Sequence, residues 1–275
     1  MDPYKVLGFN ETVIADYLIE FLRDEIEKVG FKKAVVGLSG GIDSSLVVYL
    51  LKEALGKDNV YALIMPYRLS SKESTEDAFK VVNELGIHYK TIEITKMADG
   101  YIDESFNKVR IGNILARTRM IVLFDQSYDL SALVVGTSNK TELLLGYGTW
   151  YGDMASSLNP IGDLYKTQVR ILSKHMDVPE NIINKNPTAD LWVGQSDEEE
   201  LGFSYDEADL ILYHLFDKRF SIDEVVNLGF SKKIVNGIFE RVRENQFKRL
   251  PPIIAKVSRR SINWDFRFLR DWGQV

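Results

Sequence analysis

Ala34-Val35-Val36-Gly37-Leu38-Ser39-Gly40-Gly41-Ile42-Asp43-Ser44-Ser45 is an apolar, β-branched run that enters a glycine turn and leaves it as a helix. This passage decides the fold. Ala34 to Leu38 suits a buried parallel strand, and Ser44 to Leu55 repeats apolar residues at helical spacing. Gly40 and Gly41 permit tight turning and close backbone approach, and the helix beyond aims free N–H groups and its positive dipole end at a bound anion. Ser39 and Ser44 add hydroxyl donors, leaving Asp43 as the only charge in the turn. A carboxylate beside phosphates is repulsive unless it holds a bridging Mg²⁺, an ion that takes one or two carboxylates together with phosphate oxygens and water. The turn therefore predicts ATP chemistry.

Two other readings compete. Gly37-Leu38-Ser39-Gly40-Gly41 also fits G-x-S-x-G, the elbow that presents Ser39 as the nucleophile of an α/β serine hydrolase, and that reading requires an acid and a histidine downstream. The chain offers His88, His175 and His214, none in an evident strand-end loop. The turn may instead be read as serving packing alone. It is not a Walker loop, because no lysine precedes Ser44.

Outward from the turn, Val13 to Val29 reads as an amphipathic helix with Ile14, Leu18, Phe21 or Leu22, Ile26 and Val29 on one stripe, closed by Gly30. Further strands are predicted over Tyr61 to Met65, Tyr89 to Ile94 and Ala132 to Gly136, with helices over Ser74 to Leu85 and Asn113 to Gln126. This alternation predicts an α/β fold with a doubly wound, mostly parallel sheet flanked by helices on both faces. Helices over Lys166 to His175, Tyr205 to Phe216, Ile222 to Leu228 and Lys232 to Arg243 make the C-terminal part helical. Ligands of such a sheet gather beyond the carboxyl ends of its strands, so residues after Leu38, Met65 and Gly136 are expected to share one crevice.

A single domain over 1–275 is expected, since no linker, repeat or low-complexity tract interrupts the chain. No stretch approaches 18 consecutive apolar residues and Met1-Asp2-Pro3-Tyr4-Lys5 lacks a signal-like pattern, which predicts a soluble, cytoplasmic protein without a membrane partner. Zero cysteines exclude disulfides, cysteine-based zinc sites and any thiolate able to release ammonia from glutamine. With 34 basic and 40 acidic residues the formal charge is −6, which disfavours a nucleic-acid partner held over a broad surface. Lys248, Arg249, Lys256, Arg259, Arg260, Arg267 and Arg270 still gather near the C-terminus, as an anion contact or as a solvated face.

Gly136-Thr137-Ser138-Asn139-Lys140-Thr141-Glu142 follows the fourth strand, where the crevice requires ligand contacts. Glu142 and Asp43, brought together by parallel strand ends, are a candidate pair of carboxylates for one Mg²⁺. Glu142 read blandly is an early-helix acid, and Thr137 a helix N-cap. Gly146-Tyr147-Gly148-Thr149-Trp150-Tyr151-Gly152-Asp153 is a glycine and aromatic loop suited to stacking on a flat ring, and Asn159-Pro160-Ile161-Gly162-Asp163-Leu164-Tyr165-Lys166 opens a helix with Lys166 in reach of phosphate oxygens.

Ser39-Gly40-Gly41-Ile42-Asp43-Ser44 resembles the SGGxDS loop of the N-type ATP pyrophosphatases, or PP-loop enzymes, which cleave ATP between its α and β phosphates and adenylate an oxygen. The later strings GTSNKTE, GYGTWYGD, NPIGDLYK, Asn186-Pro187-Thr188-Ala189-Asp190-Leu191, Gly194-Gln195-Ser196-Asp197-Glu198 and Lys248-Arg249-Leu250-Pro251-Pro252 are similar, in order and spacing, to those of the NAD synthetases. With no amidase domain expected before the loop and no cysteine, the branch resembled is the ammonia-dependent one.

The resemblance implies an adenine nucleotide alpha hydrolase-like fold and a ligase that joins ATP, deamido-NAD and ammonia, with Mg²⁺ as cofactor. It implies a homodimer whose dinucleotide site lies at the interface, the apolar N-terminal and late helices being candidates for the contact. It assigns Gly37, Leu38, Ser39, Gly40, Gly41, Ile42, Asp43 and Ser44 to the ATP phosphates, Thr137, Lys166 and Thr188 to ATP, and Asp43 and Glu142 to the metal. Asp43, Glu142 and Lys166 are the implied catalytic groups. Arg117, Trp150, Asp153, Ser157, Phe247 and Lys248 fall at dinucleotide positions. Three of them depart from the family pattern: Trp150 stands where a lysine is frequent, Ser157 where an aspartate is, and Phe247 where a histidine is. Another PP-loop adenylating enzyme, tRNA-modifying or amide-forming, remains the alternative, beside the Ser39 hydrolase and a non-catalytic nucleotide-binding module.

Overall fold

The computed structural model describes residues 1–188 and 197–262, so Ala189, Asp190, Leu191, Gly194, Gln195, Ser196, Arg267 and Arg270 lie outside the described residues. Four parallel strands, β1 (Lys33–Gly37), β2 (Val60–Ile64), β3 (His88–Thr91) and β4 (Ala132–Val135), form one sheet in the order β3-β2-β1-β4. The chain moves outward from β1 through β2 to β3, then returns to the other side of β1 with β4. This places a topological switch point between β1 and β4, where the two loops singled out in the sequence leave the sheet.

Alternation along β1 explains the two layers of helices. Ala34 and Val36 face a core built with Leu18, Leu22 and Ile26 of the Glu11–Glu27 helix, Leu46 and Leu50 of the Ile42–Leu55 helix, and Val169 and Leu172 of the Lys166–His175 helix. Val35 points the other way, into a core with Leu63, Val134 and the Leu115 and Val122 side chains of the Lys108–Leu130 helix. Strands buried on both faces read as continuous apolar runs, as β1 does. A third apolar cluster joins Leu145, Tyr165, Tyr205, Ile211, Val235 and Ile238 beneath the C-terminal helices.

The predicted elements are present with shifted ends. The Ile42–Leu55 helix begins two residues before Ser44, and the helix expected from Asn113 starts at Lys108, capped by Asn107 Oδ1 accepting from Arg110 N at 2.9 Å. The third strand is shorter than Tyr89 to Ile94, although Ile92 N and Ile94 N still donate to Ile64 O and Pro66 O at 2.9 and 3.0 Å. The final turn of the Tyr205 helix widens into a π-helical segment over Tyr213–Asp217. Among the described residues no helix is long and apolar enough to cross a membrane.

Candidate active site

The glycine turn after β1 is held by its own hydroxyls. Ser44 Oγ accepts from Ser39 N at 3.2 Å and donates to Gly41 O at 3.1 Å, Ser39 Oγ accepts from Gly41 N at 3.2 Å, and the two hydroxyls lie 3.1 Å apart. Gly40 adopts φ +80°, and a Cβ there would sit 2.0 Å from the Ser74 carbonyl oxygen. The turn thus presses its backbone against the N-terminal part of the Lys72–Leu85 helix, an approach only glycine permits. No side chain caps the Ile42–Leu55 helix at Gly41, so its first amides remain available to an anion.

Across the switch point, the loop after β4 ends in a capping box. Asn139 Oδ1 accepts from Glu142 N at 3.0 Å, Glu142 Oε2 accepts from Asn139 N at 3.2 Å, and the Lys140–Leu145 helix follows. The cap is Asn139, not Thr137; Thr137 lines the cleft instead. The remaining amide of Asn139 donates to Asp43 Oδ1 at 2.9 Å, joining the two loops directly.

Lys166 closes the group. Its side chain is 3% exposed, its Nζ is paired with Asp43 Oδ2 and lies 3.7 Å from Glu142 Oε1, and the ammonium stands 5.3 Å from the Tyr205 ring centroid. Burial favours a neutral lysine, yet the two carboxylates outweigh it and raise the Lys166 pKa. Burial, reinforced by the Asp43 charge, pushes Glu142 up to about 8 against the pull of Lys166. One positive charge is shared by two acids and does not fully satisfy the second.

Beneath this trio lies Asp209, fully buried, whose Oδ1 accepts from Thr141 Oγ1 at 2.5 Å and whose Oδ2 accepts from Thr167 N at 2.7 Å. Thr141 Oγ1 in turn accepts from Lys166 N at 3.0 Å. A single carboxylate therefore ties the helix bearing Glu142 to the helix bearing Lys166. In the sequence Asp209 carries no signal beyond an acid in the apolar run Ala208 to Leu212. Asn139 did carry one, since Asn139 and Glu142 have capping-box spacing.

A cleft of about 750 Å³ opens above the sheet. Gly37, Leu38, Ser39, Gly41, Ile42, Asp43 and Ser44 line it, as do Thr137, Glu142, Lys166, Thr188, Asp153 and Lys248. Lys248 Nζ donates to Gly146 O at 2.7 Å and Gly148 O at 3.0 Å, and Asp153 Oδ1 accepts from Thr149 N at 2.8 Å, so both brace the glycine and aromatic loop. Arg117, Trp150, Ser157 and Phe247 stand outside the cleft lining. Arg117 reaches the Trp150 carbonyl at 3.3 Å, and Trp150 stacks on Tyr151 and meets Phe247 edge-on at centroid distances of 4.5 and 5.4 Å. Ser157 N donates to Val134 O at 2.9 Å beside β4.

The hydrolase geometry is not formed. Ser39 Oγ is engaged by Ser44 and Gly41, and none of the three histidines lines the cleft: His88 stacks on Tyr61, His214 is buried beside Tyr213 and Phe220, and His175 ends its helix.

The family profile described as NAD synthase matches residues 14–252. An NH(3)-dependent NAD(+) synthetase of Trichlorobacter lovleyi is 55% identical over 270 residues, covering 98% of this chain and 99% of the relative. Among solved structures, an NMN synthetase from Francisella tularensis aligns with a TM-score of 0.80 and 31% identity, covering 90% of this chain and 99% of that one. An NH3-dependent NAD synthetase from Campylobacter jejuni, in complex with the nitrate ion, aligns with a TM-score of 0.78 and 36% identity over 90% of this chain and 100% of that one.

Proposed function

The chain belongs to the NAD synthase family, and on that premise we propose that it uses ATP and ammonia to convert deamido-NAD to NAD, the last step of NAD biosynthesis. The reading rests on one observation: loops 96 residues apart deliver Asp43 and Asn139 to a common point, with Lys166 and Glu142 beside them, at the mouth of a phosphate-binding turn.

A carboxylate cannot be aminated directly, because its oxygen is a poor leaving group. In the proposed reaction a nicotinate carboxylate oxygen attacks the α-phosphorus of ATP as the bond to the β-phosphate oxygen breaks, giving an acyl adenylate and pyrophosphate. Ammonia then adds to the acyl carbon, AMP departs, and a proton is lost to solvent. The amides of the Ser39–Asp43 turn and the N-terminus of the Ile42–Leu55 helix hold the phosphates, and Lys166 stabilises charge on the departing pyrophosphate. Arg117, Asp153, Lys248 and the Trp150 and Phe247 rings serve the dinucleotide, with Ser157 near them.

The donor set fits Mg²⁺. Asp43 and Glu142 converge on one cation, and the raised Glu142 marks a place where more positive charge is favourable. When bound between Asp43, Glu142 and the nucleotide, Mg²⁺ would neutralise the triphosphate.

The proposal extends to one catalytic domain over 1–275, operation in the cytoplasm and a homodimer. The Lys108–Leu130 helix leaves Ile121, Phe124 and Tyr128 exposed on one stripe with Arg117, rather than on the N-terminal and late helices alone. That stripe would carry the dimer contact toward the dinucleotide residues. The test is incubation with ATP, Mg²⁺ and ammonium, with and without deamido-NAD: AMP and NAD appearing together, and only with deamido-NAD, is the expected result. Amidation of nicotinate mononucleotide in its place, or AMP without NAD, overturns the assignment.

A further inference from the structure

The phosphate-binding turn contains no lysine, and its one charged residue is an acid. Lys166, the cation at its mouth, is already shared between Asp43 and Glu142. A divalent cation offsets only part of a triphosphate's charge, and the helix packed against the turn holds a further cation in the cleft lining.

Asp77, 1% exposed, lies on the Lys72–Leu85 helix against which Gly40 packs. Its Oδ1 accepts from Lys80 Nζ and Asn181 Nδ2, both at 2.9 Å, and its Oδ2 accepts from Lys185 Nζ at 3.1 Å. Lys185 Nζ also donates to Ser74 Oγ at 3.2 Å, and Ser74 is the residue whose carbonyl abuts Gly40. Two ammonium groups share one buried carboxylate, and the other acids near them, Glu73 at 4.0 Å from Lys185 and 72% exposed and Glu76 beside Lys80, are solvent-exposed and pair with them weakly. Lys80 points to solvent with 58% of its side chain exposed, whereas Lys185 lines the cleft beside Ser74 and Thr75.

Resting on the ligase reading above, we infer that Lys185 is a second phosphate-binding cation, held by Asp77 and Ser74 against the outer side of the Ser39–Asp43 turn, where it receives the β and γ phosphates of ATP and retains pyrophosphate after adenylation. Asn181, through Asp77, is a positioning residue.

The experiment compares binding of ATP, inorganic pyrophosphate and adenosine by calorimetry to the full chain and to Lys185→Gln, which keeps donors for Asp77 and Ser74 but removes the charge. ATP and pyrophosphate are expected to bind at least about tenfold more weakly, the scale of a charged hydrogen bond. Adenosine affinity is expected to stay unchanged and Lys185→Arg to restore most of the loss, while the melting temperature should fall, since buried Asp77 loses one of its two ammonium partners. ATP and pyrophosphate affinities within about twofold of the unmodified protein overturn the inference, as does a parallel loss for adenosine, which a purely structural anchor produces. Failure of the unmodified protein to make NAD from deamido-NAD would instead overturn the ligase reading, so the two failures are separable.

Discussion

Asn139 holds Asp43 while it caps the helix that carries Glu142: its Nδ2 donates to Asp43 Oδ1 at 2.9 Å, and its Oδ1 accepts from Glu142 N at 3.0 Å. One fully buried amide therefore sets both carboxylates of the candidate metal site. Asn139→Ala is expected to lower stability by about 0.5–2 kcal/mol through the lost cap. It should lower AMP formation by roughly a hundredfold, since a displacement of about 1 Å at a reacting centre has that effect. Asn139→Asp separates the roles: aspartate caps as well, so melting should recover, but a carboxylate against Asp43 should leave turnover low.

Lys166→Met removes the cation shared by Asp43 and Glu142. Pyrophosphate release should fall by at least about a hundredfold, the loss typical of one electrostatic contact to developing charge. In the absence of ATP, the same variant should bind Mn²⁺ more tightly than the unmodified protein, because two carboxylates lose their competing ammonium. Metal titration followed by electron paramagnetic resonance reads this directly, and weaker binding would show that the acids do not share the ion.

Burial raises the Asp209 carboxyl to about 6, above the usual carboxylate range, against the pull of its bonds from Thr141 and Thr167. The folded protein thus holds this proton more tightly than the unfolded chain. Stability contributed by protonated Asp209 is present below about pH 4 and is lost as pH rises through about 6, on the order of 2–3 kcal/mol. Asp209→Asn, which cannot ionise, should flatten that part of the stability profile, measured by denaturant titration between pH 4 and 7.

Gly40→Ala should destabilise far more than Gly41→Ala. Gly40 has φ +80° and a Cβ there overlaps the Ser74 carbonyl, whereas Gly41 has φ −86° and its nearest neighbour is Ser39 Oγ at 3.3 Å. The left-handed conformation alone costs alanine roughly 1–2 kcal/mol, before any clash. Thermal melting of the two variants without ligand provides the comparison.

The strand, turn and helix from Lys33 to Leu55 were legible because an apolar run, two glycines and a helical repeat agree at every level. Asp43 and Glu142 could be paired from sequence because parallel strand ends share one edge. The third strand is shorter than its apolar pattern predicts: all four of its residues are exposed at the sheet edge, and the apolar Ile92 and Ile94 of that pattern lie beyond its end. Thr137 and Asn139 are both good caps, and only the second stands three residues before Glu142. Asp209 and Lys185 were silent because their importance comes from partners 68 and 108 residues away, Thr141 and Asp77.

Lys248 and Arg249 stitch the far end of the described chain to the middle of it, Lys248 through the Gly146 and Gly148 carbonyls and Arg249 through those of Leu143 and Leu144. During synthesis the sheet and its glycine turn leave the ribosome long before these two side chains do. The loop that Lys248 and Arg249 brace is therefore fixed late, after the strands beneath it have been made.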